Sequence, residues 1–135
     1  MGQFKDPSGT APLDGAFGVA GGFARALVAR TLVNGRWVFI PGTAGYDQDG
    51  GAMPDDVAEQ TRQTMRNIRA ILRRADADLA DVVRVRVYLA DAADFARVAP
   101  ILAEQFRDIQ PASTTIECPL ADPRMKIEIE VTARR

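Results

Sequence analysis

A chain of 135 residues with a net charge of −1 and 47% hydrophobic residues has the size and balance of one globular domain, and its near-neutrality gives no strong pull toward nucleic acid or acidic membranes. Histidine is absent and cysteine occurs once, which excludes Ser-His-Asp and Cys-His catalysis, a disulfide within the chain and the commonest zinc ligand. Catalysis would have to draw on carboxylates, hydroxyls, arginines, backbone amides and water.

Lys5 and Lys126 are the only lysines, the other 15 basic residues being arginine, a bias that a GC-rich genome produces more often than anion binding does. No apolar run reaches the ~18 residues of a membrane span. The start "MGQFKDPSGTAPLDGAFG" has no charged segment followed by an apolar one, so a cytoplasmic location is expected.

Residues 1–22, rich in Gly, Pro, Ser and Asp, read as an irregular arm ahead of one domain over 23–135. "ALVARTL" and "RWVFIPG" flank "VNG", a hairpin signal that predicts strands over 25–32 and 36–41. Gly42, Gly45, Gly50 and Gly51 predict a loop. Val57, Thr61, Met65, Ile68, Leu72 and Ala75 then recur every three or four residues, predicting a helix over 55–75. Acids in its first turns and Arg73 and Arg74 in its last suit the helix dipole.

"DVVRVRVYLAD" alternates, with Val83, Val85, Val87 and Leu89 on one face and Arg84, Arg86 and Tyr88 on the other. A second helix is predicted over 95–107, its regular part starting near Ala99 so that Pro100 falls in the first turn. A strand holding "STTIEC" follows. In "MKIEIEVTA", Met125, Ile127, Ile129 and Val131 point in and Lys126, Glu128, Glu130 and Thr132 point out. The order β-β-α-β-α-β-β predicts an α+β fold, one mixed sheet carrying both helices on its apolar face. Its other face would hold Arg84, Arg86, Lys126, Glu128 and Glu130, either solvated or covered by another copy of the chain.

From about Gly22 onward the chain resembles the Rid family, also called the YjgF or endoribonuclease L-PSP family. The resemblance rests on five pieces in order: "VFIPGTAGYD", "EQTRQTMRNIRAIL", "DVVRVRVYLADAADF", "PASTTIECP" and "MKIEIEVTARR". It implies a chorismate-mutase-like subunit, a homotrimer with three clefts between subunits, and, in the best-known branch, hydrolysis of enamines and imines to 2-keto acids and ammonia. No cofactor is implied.

The family's cleft arginine follows "PA"; here that place is Ser113, and a hydroxyl cannot replace the guanidinium fork that holds a carboxylate. The position two beyond, often cysteine, is Thr115. Cys118 has the opposite strand parity and reads as a small core residue. The family's tyrosine falls on Phe23, the "SG" turn on Pro41 and Gly42, the aromatic of the "DF" element on Phe95, and the water-orienting glutamate on Glu128. Glu128 reads equally as that catalytic carboxylate or as a partner of Arg84 or Arg86. Arg25, two residues after Phe23, is either a replacement cation or a strand-end surface arginine. Three functions follow: a cofactor-free hydrolase of small enamines, imines or carbonyl compounds; a non-catalytic trimer holding a small metabolite; and, with little support from the charge pattern, a ribonuclease.

Overall fold

Alternating sequence becomes sheet and the helical pattern becomes helix in the computed structural model, which describes residues 10–12, 31–47 and 51–135. The strands are β1 (Thr10–Pro12), β2 (Leu32–Asn34), β3 (Trp37–Thr43), β4 (Val82–Leu89), β5 (Ala112–Glu117) and β6 (Ile127–Arg134). Helix α1 (Val57–Arg74) lies between β3 and β4, and α2 (Phe95–Phe106) between β4 and β5. One sheet takes the order β1-β2-β3-β6-β4-β5. All its pairings are antiparallel except β4 with β5, which the α2 crossover makes parallel. β1 falls within the segment read as an arm, and Phe23 and Arg25 lie outside the described residues.

The predicted hairpin forms with Asn34 opposite Trp37, and Gly35 takes φ +55° at the first turn position, a region glycine enters at little cost. β3 runs two residues further than the sequence suggests. A register shift between Ile40 and Thr43 lets it keep pairing with β6 past Pro41, whose missing N–H falls in the irregularity rather than in the ladder.

Helix α1 matches its expected face: Val57, Thr61, Met65, Ile68, Leu72 and Ala75 are all buried. Asp56 caps it, accepting from the Glu59 amide at 3.1 Å. Both helices cover the same face of the sheet, where Ile40, Val85, Val87, Ile127, Ile129 and Val131 meet Ile68, Leu72 and Val98. Among the described residues no helix is long and apolar enough to cross a membrane.

Three local expectations are corrected. Val83 is exposed, and Val82 is buried in its stead, because a bulge between Val82 and Arg84 shifts the pairing with β6 by one residue at the strand start. Helix α2 begins at Phe95, not near Ala99, and Pro100 lies inside it. The 3₁₀ turn Ala92–Asp94, capped by the Asp91 carboxylate, runs straight into α2, so the helix is already started upstream of the proline. Cys118 is half-buried and outside the core cluster; its amide donates to the Leu89 carbonyl just past the end of β5.

Candidate functional site

The helix-free face of the sheet carries the acid that the sequence singled out. Ile127 and Ile129 are fully buried, so Glu128 between them projects to the opposite face, beside Tyr88 of β4. There its carboxyl lies on the backbone of Gly42. A Cβ on Gly42 would overlap Oε1 and stand 2.7 Å from Cδ of Glu128. The glycine is needed for space, since its backbone is not left-handed.

Burial against β3, and then the neighbouring Glu130 charge, hold the Glu128 carboxyl above the ordinary glutamate range. Among the described residues it has no ion pair. Arg86 faces Glu130 instead, at 3.9 Å and half-exposed, and Arg84 lies opposite Thr132. A loose exposed pair of that kind adds little stability. The geometry therefore gives a half-buried carboxyl close to a backbone and able to hold or release a proton.

Gly42→Ala is expected to push that carboxyl off its seat. The cost to stability should stay under about 1 kcal/mol, because the displaced atoms are the free end of a flexible side chain. Any turnover that depends on Glu128 should fall roughly tenfold or more, since an error near 1 Å in a catalytic group is expensive. Thermal melts read alongside turnover check the two halves separately.

The loops around Glu128 are held by side chains that motif reading overlooked. Gln60 of α1 is fully buried; its Nε2 donates to the carbonyls of Pro54 (2.7 Å) and Arg124 (2.8 Å), and its Oε1 accepts from the Lys126 amide (2.8 Å). Asn67 donates to the carbonyls of Ala44 and Tyr46. The Tyr46 hydroxyl donates to Asp122 at 2.8 Å, and Arg124 chelates the same carboxylate. Desolvation and the Asp122 bond push the tyrosine up to about 12, while Arg124 holds Asp122 well below the usual carboxylate range. The available signal was a run of polar residues (Gln60, Thr61, Thr64, Asn67) on the helix face that should have been apolar.

Ser113 and Thr115 sit elsewhere. They pair in parallel register with the buried Val85 and Val87, so they share the helix-bearing face, on a strand whose six residues are all exposed at the sheet edge. Ser113 opens onto a cavity of about 420 Å³ between α2 and β5. Two residues past Thr115, the Glu117 carboxylate accepts from the Ala92 amide at 2.7 Å, tying the strand to the turn that starts α2. Phe95, the first residue of α2, is half-exposed. Within one chain the sheet thus separates two groups, Glu128 with Gly42 on the open face and Ser113 with Thr115 on the helical face. Among the described residues no cluster of three or more acids or cysteines could hold a metal ion.

The family model described as endoribonuclease L-PSP matches residues 16–135. A RutC family protein of Pyrococcus horikoshii is 37% identical over 106 residues, 78% of this chain and 84% of the relative. The chloroplastic Reactive Intermediate Deaminase A of Arabidopsis thaliana is 34% identical over 114 residues, 84% of this chain and 58% of the relative. Among solved structures, a member of the YjgF/YER057c/UK114 family from Mycobacterium tuberculosis superposes with a TM-score of 0.80 at 30% identity, covering 93% of this chain and 99% of that one. The YjgF gene product of E. coli gives 0.72 at 30% identity, covering 78% and 85%.

Proposed function

Because the chain belongs to the endoribonuclease L-PSP family, also known as the Rid or YjgF family, we propose that it forms a homotrimer whose intersubunit clefts hydrolyse small enamines and imines, or related carbonyl compounds, without a cofactor. The observation that carries this reading is the Glu128 carboxyl, half-buried on Gly42 and raised toward its protonated form. Such a group can take a proton from water as the oxygen adds to the C=N carbon. With the substrate as its iminium ion, the carboxyl then returns that proton to the nitrogen of the carbinolamine and takes up the hydroxyl proton as the C–N bond breaks, so that ammonia leaves and a 2-keto acid remains.

Assembly is what would bring the two groups together. Glu128 lies on the open face of one sheet and Ser113 at the far edge on the other face, so a cleft holding both takes them from different subunits. The exposed apolar groups on the open face (Leu32, Trp37 and Phe39), beside Arg86 and Glu130, fit a face covered by other copies.

The second reading, a trimer that binds a small metabolite and converts nothing, is favoured by one residue. Ser113 offers only a hydroxyl where the family's arginine would hold the substrate carboxylate, and loss of a charged hydrogen bond weakens binding roughly tenfold to a hundredfold. The test generates 2-aminoacrylate or 2-iminobutyrate in situ and follows its decay and the release of ammonia. The hydrolase reading expects acceleration by the wild type, and at least a tenfold gain in kcat/KM for Ser113→Arg. No acceleration by either protein overturns it and leaves the binding module.

A further inference from the structure

We infer that the cavity between α2 and β5 is a site for a small apolar carboxylic acid, with Arg107 as its anion anchor. The inference deepens the proposed function, because Ser113 lines this cavity too, but it concerns binding and stands whether or not hydrolysis occurs. The cavity, about 420 Å³, falls in the size range of small-ligand pockets. Its wall is apolar: Val85 from β4, Leu102 and Phe106 from α2, and Pro111. Three polar residues line it as well, Arg107 at the end of α2, Gln110 in the turn that follows and Ser113 at the start of β5. Among the described residues no acidic side chain lines the cavity. Among the described residues neither Arg107 nor Ser113 makes an ion pair or a side-chain hydrogen bond.

An arginine after the last turn of a helix is ordinary, since it complements the negative end of the dipole. Here the last carbonyl of the helix is already answered. The Phe106 carbonyl accepts from the amides of both Ile109 and Gln110, each at 3.0 Å, and the turn closes with Gln110 in the left-handed region at φ 50°. Arg107 is left free to face a ligand. A guanidinium fork, the Gln110 amide and one hydroxyl beside an apolar wall match a carboxylate head with a hydrocarbon tail. A neutral or polyanionic ligand would leave either the fork or the wall unmatched. The fold thus supplies from a helix end the positive charge that "PAS" lacks on the strand.

The experiment titrates the full chain with hexanoate, and with hexanamide as the neutral probe, by ¹H-¹⁵N correlation spectroscopy and calorimetry. Hexanoate should shift the amides of Leu102, Phe106, Arg107 and Ser113 together. Arg107→Gln should weaken hexanoate roughly tenfold to a hundredfold, and hexanamide should bind the wild type about as weakly as hexanoate binds that variant. Leu102→Trp, which fills the cavity from an incompletely buried position, should abolish both. Shifts outside the cavity, or undiminished affinity in Arg107→Gln, overturn the inference. Glu128→Gln keeps the two readings apart, since it should lose hydrolysis and keep hexanoate.

Discussion

Glu128→Gln is expected to lower imine hydrolysis at least a hundredfold while leaving thermal stability at pH 7 unchanged or raised. The amide keeps the shape of the side chain and its place over Gly42, and removes the titratable proton and the charge. General acid–base groups contribute roughly a hundredfold to ten-thousandfold to rate, which sets the size of the loss. The stability half follows from linkage. Burial first, and Glu130 second, raise this carboxyl in the folded chain above its unfolded value. A group raised in this way favours the fold while protonated, below the unfolded value, and that contribution disappears as pH climbs through the folded value. At pH 7, well above the unfolded value, the carboxyl is therefore a burden that glutamine lifts, and at pH 4 the two proteins should melt closer together. Melting both proteins at pH 4 and pH 7 tests the sign. A variant less stable at pH 7 would show the carboxylate paired with an arginine, Arg84 or Arg86 of a neighbouring copy, and would remove the catalytic reading of Glu128.

The sequence leaves that alternative open. Alternation in "MKIEIEVTA" and "VRVRVYL" identifies which residues share a face, and the observed strands follow it from Ile127 to Val131 and from Arg84 to Leu89. Which strands become neighbours is not written in a period of two. The sheet order places β6 between β3 and β4, and only that order sets Glu128 against Gly42, 86 residues away in the chain, and Glu130 against Arg86. The failure at Val83 has the same source, because a bulge is fixed by the partner strand and not by local composition. Helix α1 was legible because burial, capping and end charges all agreed on it. For α2, the prohibition on proline outweighed the upstream 3₁₀ turn that starts the helix early.

The site divides along the same line. "PAS" could be read as a lost charge, since a motif position is a matter of sequence. Where a substitute cation stands is a matter of folding. Arg107 is six residues before Ser113, on another element, and only the α2–β5 crossover sets them on one rim. Arg25 is a candidate because it sits near a motif, which is the one kind of proximity a sequence displays.

Gln60→Ala should carry the largest stability loss among the loop-holding residues, about 3 kcal/mol and a fall in Tm on the order of 10 °C. The truncation strips the partners from two carbonyls, Pro54 and Arg124, and from the Lys126 amide, in a place without room for easy repair. Gly45 is pressed so closely on this turn that a Cβ there would stand 2.7 Å from the Gln60 carbonyl oxygen. A buried polar group left alone costs roughly 1–3 kcal/mol, and partial rehydration keeps the sum below three full penalties. Arg62→Ala on the same helix, which breaks only an exposed pair with Glu59, should change stability by less than about 0.5 kcal/mol. Denaturant melts of the two variants separate buried amide from surface charge. The same substitution should also reduce turnover. Lys126 stands two residues before Glu128, so the amide that Gln60 holds fixes the start of the strand that aims the carboxyl at Gly42. Equal losses in Gln60→Ala and Arg62→Ala would mean that β6 is held by its ladder alone, and that the buried glutamine does not govern the position of Glu128.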